Sequence, residues 1–137
     1  MLCGNRKTGQ SRGVNRITIA LPWPDKALWQ NTKPHWSIIA AATKAARLYA
    51  WTATLEHGGR HMAFTGRPRL VWTFHPPPRS TADLPNAIAA MKPSIDGIQD
   101  AIQIDDRHFL NAFPEEFGES VKGGKVIVTI EDSVTCE

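Results

Sequence analysis

Between Asp83 and Asp106 the chain gathers five aspartates, Asp83, Asp96, Asp100, Asp105 and Asp106, with Asn86 and Lys92 among them and Arg79 just ahead. Magnesium prefers hard oxygen ligands, keeps several waters and takes few carboxylates, so two or three convergent aspartates are enough to build a site. A metal held there could orient a phosphodiester, stabilise its developing charge and activate a water, with Lys92 assisting electrostatically. Each residue also has a plainer reading. Asp83 suits the start of a helix, Asp96 lies four residues after Lys92 as surface ion pairs do, Asp100 reads as a solvated helical aspartate, and Asp105-Asp106 as an acidic turn. His35, His75 and His108 are too scattered to form a metal or nucleophile set. Trp23, Trp29 and Trp36 offer faces on which bases could stack, with core or dimer packing as the alternative.

The net charge of +3 conceals an asymmetry. Up to Arg79 there are 12 Lys/Arg against 2 Asp/Glu, and after it 4 against 11. A basic half can neutralise phosphates while an acidic half gathers carboxylates, a division of labour suited to a metal-dependent nuclease; the alternative is that opposite charges pair across one fold. At 137 residues, 42% of them hydrophobic, the chain is long enough for one domain with one core. No apolar stretch reaches the roughly 18 residues of a membrane span, and Met1 to Gly13 lacks the apolar segment of a secretory signal, so a soluble, cytoplasmic protein is expected. Cys3 and Cys136 have no partner spacing for zinc and point to a reducing compartment.

The elements that must position these residues read as follows. Residues 1–15 form a flexible basic tail, 16–132 one domain, and 133–137 a C-terminal tail. A first strand runs from Arg16 to Leu21 and stops at Pro22-Trp23-Pro24. A basic, aromatic loop follows, then a helix with Ser37 as N-cap, an apolar stripe of Ile38, Ala41, Ala45, Leu48, Trp51 or Thr52, and Leu55, and an end at Gly58-Gly59. Leu70 to His75 alternates as a second strand. Pro85 opens a second helix whose stripe Ile88, Met91, Ile95, Ile98, Ile102 steps by three and four, with Pro93 bending it. A short strand falls between Arg107 and Phe117, interrupted near Pro114. Lys122-Gly123-Gly124-Lys125 then turns into a final strand, Val126 to Ile130. The expected class is α+β, a mixed sheet packed against two helices in the order β-α-β-α-β-β. No internal repeat and no glycine-rich phosphate loop is found, so no nucleotide cofactor is expected.

With its opening Ile17-Thr18-Ile19-Ala20-Leu21-Pro22-Trp23-Pro24, its acidic central helix, its Asp105-Asp106 pair and its Lys122-Gly123-Gly124-Lys125 turn, the chain resembles the RusA-type Holliday-junction resolvases along nearly its whole length. Members of that family typically carry Asp-x-Asp-Asn at the start of the central helix, then a lysine, an aspartate in an Asp-Ala/Gly-Leu/Ile context, and Asp-Asp. Here those places hold Asp83-Leu84-Pro85-Asn86, Lys92, Asp96-Gly97-Ile98 and Asp105-Asp106.

The resemblance implies a magnesium-dependent endonuclease cutting four-way junction DNA as a symmetric homodimer, encoded by a bacterium, phage or prophage. It also implies a catalytic set of Asp83, Asp106, Lys92 and Asp96, and metal ligands drawn from Asp83, Asp106, Asp105 and Asp96. Arg16, Lys26, Lys33, Arg69 and Arg79, with Lys44, Arg47 and Arg67, are candidate phosphate contacts. Two positions depart from the pattern. Pro85 stands where the second motif aspartate belongs, leaving one carboxylate fewer for Asp96 or Asp105 to replace. The lysine sits one helical turn beyond its usual place, at Lys92 where members have the equivalent of Ala89, though on the same face. The alternative function is a junction-binding protein that keeps the fold and has lost the metal site.

Overall fold

A computed structural model describes residues 16–29, 33–62, 64, 66–104 and 109–132. Both expected tails lie outside the described residues, as do Asp105 and Asp106. Four strands form one mixed sheet: β1 (Arg16–Pro22), β2 (Pro68–His75), β3 (Leu110–Ala112) and β4 (Lys125–Asp132), in the spatial order β1-β4-β2-β3. β4 runs antiparallel to both β1 and β2, and β3 is parallel to β2. Among the described residues three α-helices accompany the sheet, α1 (Trp36–Glu56), α2 (Leu84–Ala89) and α3 (Lys92–Ile102). The class is α+β, as expected. No helix among the described residues is long and apolar enough to cross a membrane.

The period-two alternation of the strands accounts for the core. Register aligns Ile17 with Ile130 and Leu70, Ile19 with Val128 and Trp72, and Leu21 with Val126 and Phe74. All nine side chains are buried, since successive residues of a strand face opposite sides of the sheet. The intervening rows carry Arg16, Glu131 and Arg69, then Thr18, Thr129 and Val71, on the other face. Trp72, only 1% exposed, places its indole N–H 3.0 Å from Asn111 Oδ1 on β3. Asn111→Ala would orphan that buried donor, and a loss of about 1–2 kcal/mol in a denaturant titration is expected.

Three expectations about the helices need correction. The α1 N-cap is His35, whose Nδ1 accepts from Ser37 N at 3.2 Å, rather than Ser37 itself. The first part of the expected stripe, Ile38, Ala41, Ala45 and Leu48, is exposed, Trp51, Thr52 and Leu55 are half-buried, and the buried residues are Ala50, Ala53 and Thr54. The reason lies in α3, which packs extensively along α1. Glycine at position 97 lets the two backbones touch: a Cβ there would collide with the Arg47 carbonyl oxygen and stand 3.1 Å from Trp51 N. α1 therefore meets α3 backbone to backbone at Arg47 and Trp51, and Ile38 and Leu48 are left outward. Finally, Pro93 breaks the central helix instead of bending it. α2 stops at Ala89, Met91 leaves helical geometry at φ −89°, ψ 2°, and α3 starts at Lys92 with Pro93 in its first turn, where the missing N–H costs least.

Candidate functional site

The C-terminal ends of β1 and β2 and the start of β4 lie at the same end of the sheet, because β4 runs against both. Pro22-Trp23-Pro24 leaves β1 there, and Pro76-Pro77-Pro78 leaves β2. Prolines at these points withhold ladder donors and turn both chains away from the sheet. After β1, the Asp25 carboxylate accepts from Ala27 N at 2.8 Å and sets a short 3-10 turn, Lys26–Leu28, that delivers Trp29. The Trp29 indole N–H donates to Pro24 O at 3.2 Å. Trp23 packs against Trp29 with centroids 6.0 Å apart, against Phe117 at 6.1 Å and edge-on to Phe74 at 6.5 Å. Gly124, at φ 72°, permits this, since a Cβ there would fall 2.8 Å from Pro77 and 3.0 Å from Trp23.

After β2, Ser80 N donates to Pro77 O at 3.2 Å, closing a turn that holds Arg79 at φ 64°. A positive φ is uncommon outside glycine and asparagine. Ser80 Oγ accepts from Ala82 N at 3.0 Å, and Asp83 then caps α2 by position, with Leu84 and Pro85 in the first turn. Its carboxylate makes no cap hydrogen bond. Oδ2 instead accepts the Asn86 side-chain amide at 3.1 Å, which orients the carboxylate.

The two excursions enclose a cleft of about 320 Å³. Trp23, Pro24, Lys26 and Trp29 form one wall; Ser80, Thr81, Ala82, Asp83 and Asn86 form the other. The structure thus brings Asp83, Asn86 and Lys26 together, with Arg79 adjoining Ser80 in sequence. Arg16 and Arg69 are at the far end of the sheet, both paired with Glu131, at 3.2 and 3.4 Å. Lys33 is exposed just before α1 and does not line the cleft.

On α3, Lys92 Nζ holds Asp96 Oδ1 at 2.7 Å, the ion pair their spacing anticipates. Asp100 is not simply solvated: Arg47 Nε donates to its Oδ2 at 2.9 Å, and Nη2 engages the same oxygen. That hydrogen bond, then the charge of Asp100, and less so that of Asp96, hold the Arg47 guanidinium above its ordinary pKa. The Arg47–Asp100 pair and the two on Glu131 join the basic half to the acidic half, so part of the charge asymmetry is neutralised across the fold. Among the described residues no three His, Cys, Asp or Glu side chains converge as a metal cluster. The expected ligands Asp105 and Asp106 lie outside the described residues. Asp83, Asn86 and a third oxygen donor are chemically compatible with magnesium, which takes one or two carboxylates and keeps much of its water.

No family model matches the chain. It is 39% identical over 121 residues to an uncharacterized protein of Xylella fastidiosa, the match covering 86% of this chain and 78% of that protein. The chain belongs to that protein's family. Taken singly, Trp23 and Trp29 already offer stacking faces; what their sequence positions do not show is that they form one wall of a cleft opposite Asp83 and Asn86. Trp23 and Trp29 are both half-buried, so they pack and line a cleft at once. The usable signal was their place on either side of Lys26 in the one short loop that follows the first strand.

Proposed function

We propose that the chain is a RusA-type endonuclease that hydrolyses phosphodiesters at four-way DNA junctions with magnesium and acts as a homodimer. The observation that carries this reading is the oriented Asp83–Asn86 pair at the edge of a cleft that also presents Lys26 and two tryptophans. A carboxylate, a cation and aromatic faces are the groups a DNA strand needs for cleavage, phosphate neutralisation and base contact. Asp83 and Asn86 would hold the metal with a carboxylate from Asp105 or Asp106. When bound, the metal supplies Lewis acidity and a more acidic water.

The chain's own residues do the rest. The Asn86 amide fixes the Asp83 carboxylate, Lys26 offsets phosphate charge at the rim, and Arg79, held by its turn, is available to the strand outside. Lys92 is engaged by Asp96, so a phosphate reaching it would have to compete with that carboxylate. Five large apolar side chains, Trp36, Ile38, Ile39, Leu48 and Tyr49, are exposed on α1 alone. Exposed apolar side chains of this size are what a protein interface would cover, in keeping with a dimer whose two sites match two opposed strands. The Xylella relative supports a bacterial origin; a chain encoded by a bacterium, phage or prophage would act in the bacterial cytoplasm.

A second reading is favoured by Pro85, which offers no ligand atom: a junction-binding protein without cleavage. Incubating the purified protein with a synthetic mobile four-way junction, with and without magnesium, separates the two. Paired symmetric nicks that require magnesium and vanish in Asp106→Asn are expected. Tight binding without nicks would select the binding protein, and no preference for junction over linear DNA would reject both.

A further inference from the structure

The cleft beside Asp83 has more walls than a metal site needs. Trp29 is held by its hydrogen bond to Pro24 O, and Trp23 is locked behind it by Phe74 and Phe117. The rings are therefore set before any ligand arrives, which lowers the ordering cost of binding. Facing them are the polar side chains of Ser80, Thr81 and Asn86, and Lys26 lies on the aromatic side. At about 320 Å³ the cleft is at the small end of ligand pockets, roughly 300–1,000 Å³, with room for one ring system and its sugar but not for a base-paired duplex.

We infer that this cleft takes a single unpaired nucleobase of the DNA, stacked on Trp29, with its flanking phosphate against Lys26. The inference rests on the DNA reading above and adds what that site grips. An aromatic platform beside a cation is how single strands are held, and stacking tolerates any base because every base has a π-face. The opposite wall supplies the hydroxyls of Ser80 and Thr81 for the base edge. Because Asp83 lines the same cleft, a base seated there carries its own backbone to the carboxylate. The junction centre, where pairing is most easily lost, is where such a base costs least to extract.

The test is a thermodynamic cycle measured in calcium without magnesium, so that binding is read without cleavage. A four-way junction is scanned with single abasic nucleotides through its centre, against the wild-type dimer, Trp29→Ala and Trp29→Phe. Wild type is expected to lose roughly fivefold or more in affinity at one symmetry-related position, the scale of one base–aromatic stack. Trp29→Ala should lose about as much on the intact junction and become indifferent to the abasic site there, while Trp29→Phe keeps most of both. If Trp29→Ala does not fold, the wild-type scan and Trp29→Phe still decide. A junction bound equally well at every abasic position overturns the base capture and leaves the DNA reading standing, as does Trp29→Ala keeping full sensitivity to the abasic site, which would place the grip on that base outside this cleft. No junction binding by wild type overturns both.

Discussion

Gly97→Ala is expected to lower the stability of the domain by about 3 kcal/mol, the upper range for forcing extra volume into a packed interior. At this chain length that corresponds to a fall in melting temperature on the order of 10 °C. The added methyl would meet the backbone of α1, at the Arg47 carbonyl and Trp51 nitrogen, and a backbone cannot rotate away as a side chain can. Alanine's better helix propensity returns only about 1 kcal/mol. α1 and α3 would have to separate, uncovering Ile98 and Ala101, both fully buried. Arg47 and Asp100, which clasp across the same crossing from exposed positions, should matter far less, since exposed ion pairs contribute little. Thermal unfolding by circular dichroism of Gly97→Ala beside Arg47→Met checks the contrast. Equal melting temperatures for wild type and Gly97→Ala would mean that the helices are not in backbone contact.

The strands were legible because their signal is local. Ile17, Ile19 and Leu21, or Leu70, Trp72 and Phe74, alternate at period two, and prolines mark where each strand stops. α1 was not legible in the same way. Its alanines at 40, 41, 42, 45, 46, 50 and 53 occur on more than one face, so the bulkier Ile38 and Leu48 suggest a buried side that the fold leaves outward. The deciding residue, Gly97, lies 50 positions from Arg47. The site divides similarly. Asp83 with Asn86 is one helical turn and was visible, as was Lys92 with Asp96. Trp23 and Asp83 are 60 residues apart and meet only because β1 and β2 both flank β4, and the pairing of Arg47 with Asp100 is just as remote. Local spacing shows which groups belong to one turn; it carries no information on which turns share an end of the sheet.

Asp83→Asn tests the chemistry with the least disturbance of structure. Asparagine has the same shape, and its side-chain oxygen can still accept the Asn86 amide that Asp83 Oδ2 accepts at 3.1 Å. Since Asp83 is exposed and makes no cap hydrogen bond, the substitution should leave the melting temperature within about 2 °C, the range of surface changes. What it removes is the charge. Metal assistance of the kind proposed supplies several kcal/mol, and about 1.4 kcal/mol is tenfold in rate, so losing about 3 kcal/mol of it should slow junction cleavage by roughly a hundredfold. Asp96→Asn should cost much less, because Asp96 is already neutralised by Lys92. Single-turnover cleavage at several magnesium concentrations distinguishes the roles. If Asp83 holds the metal, the variant needs more magnesium and remains slow at saturation. If Asp96 proves the more damaging of the two, the Lys92 pair must open in the working enzyme, and the carboxylate missing at Pro85 is supplied from α3.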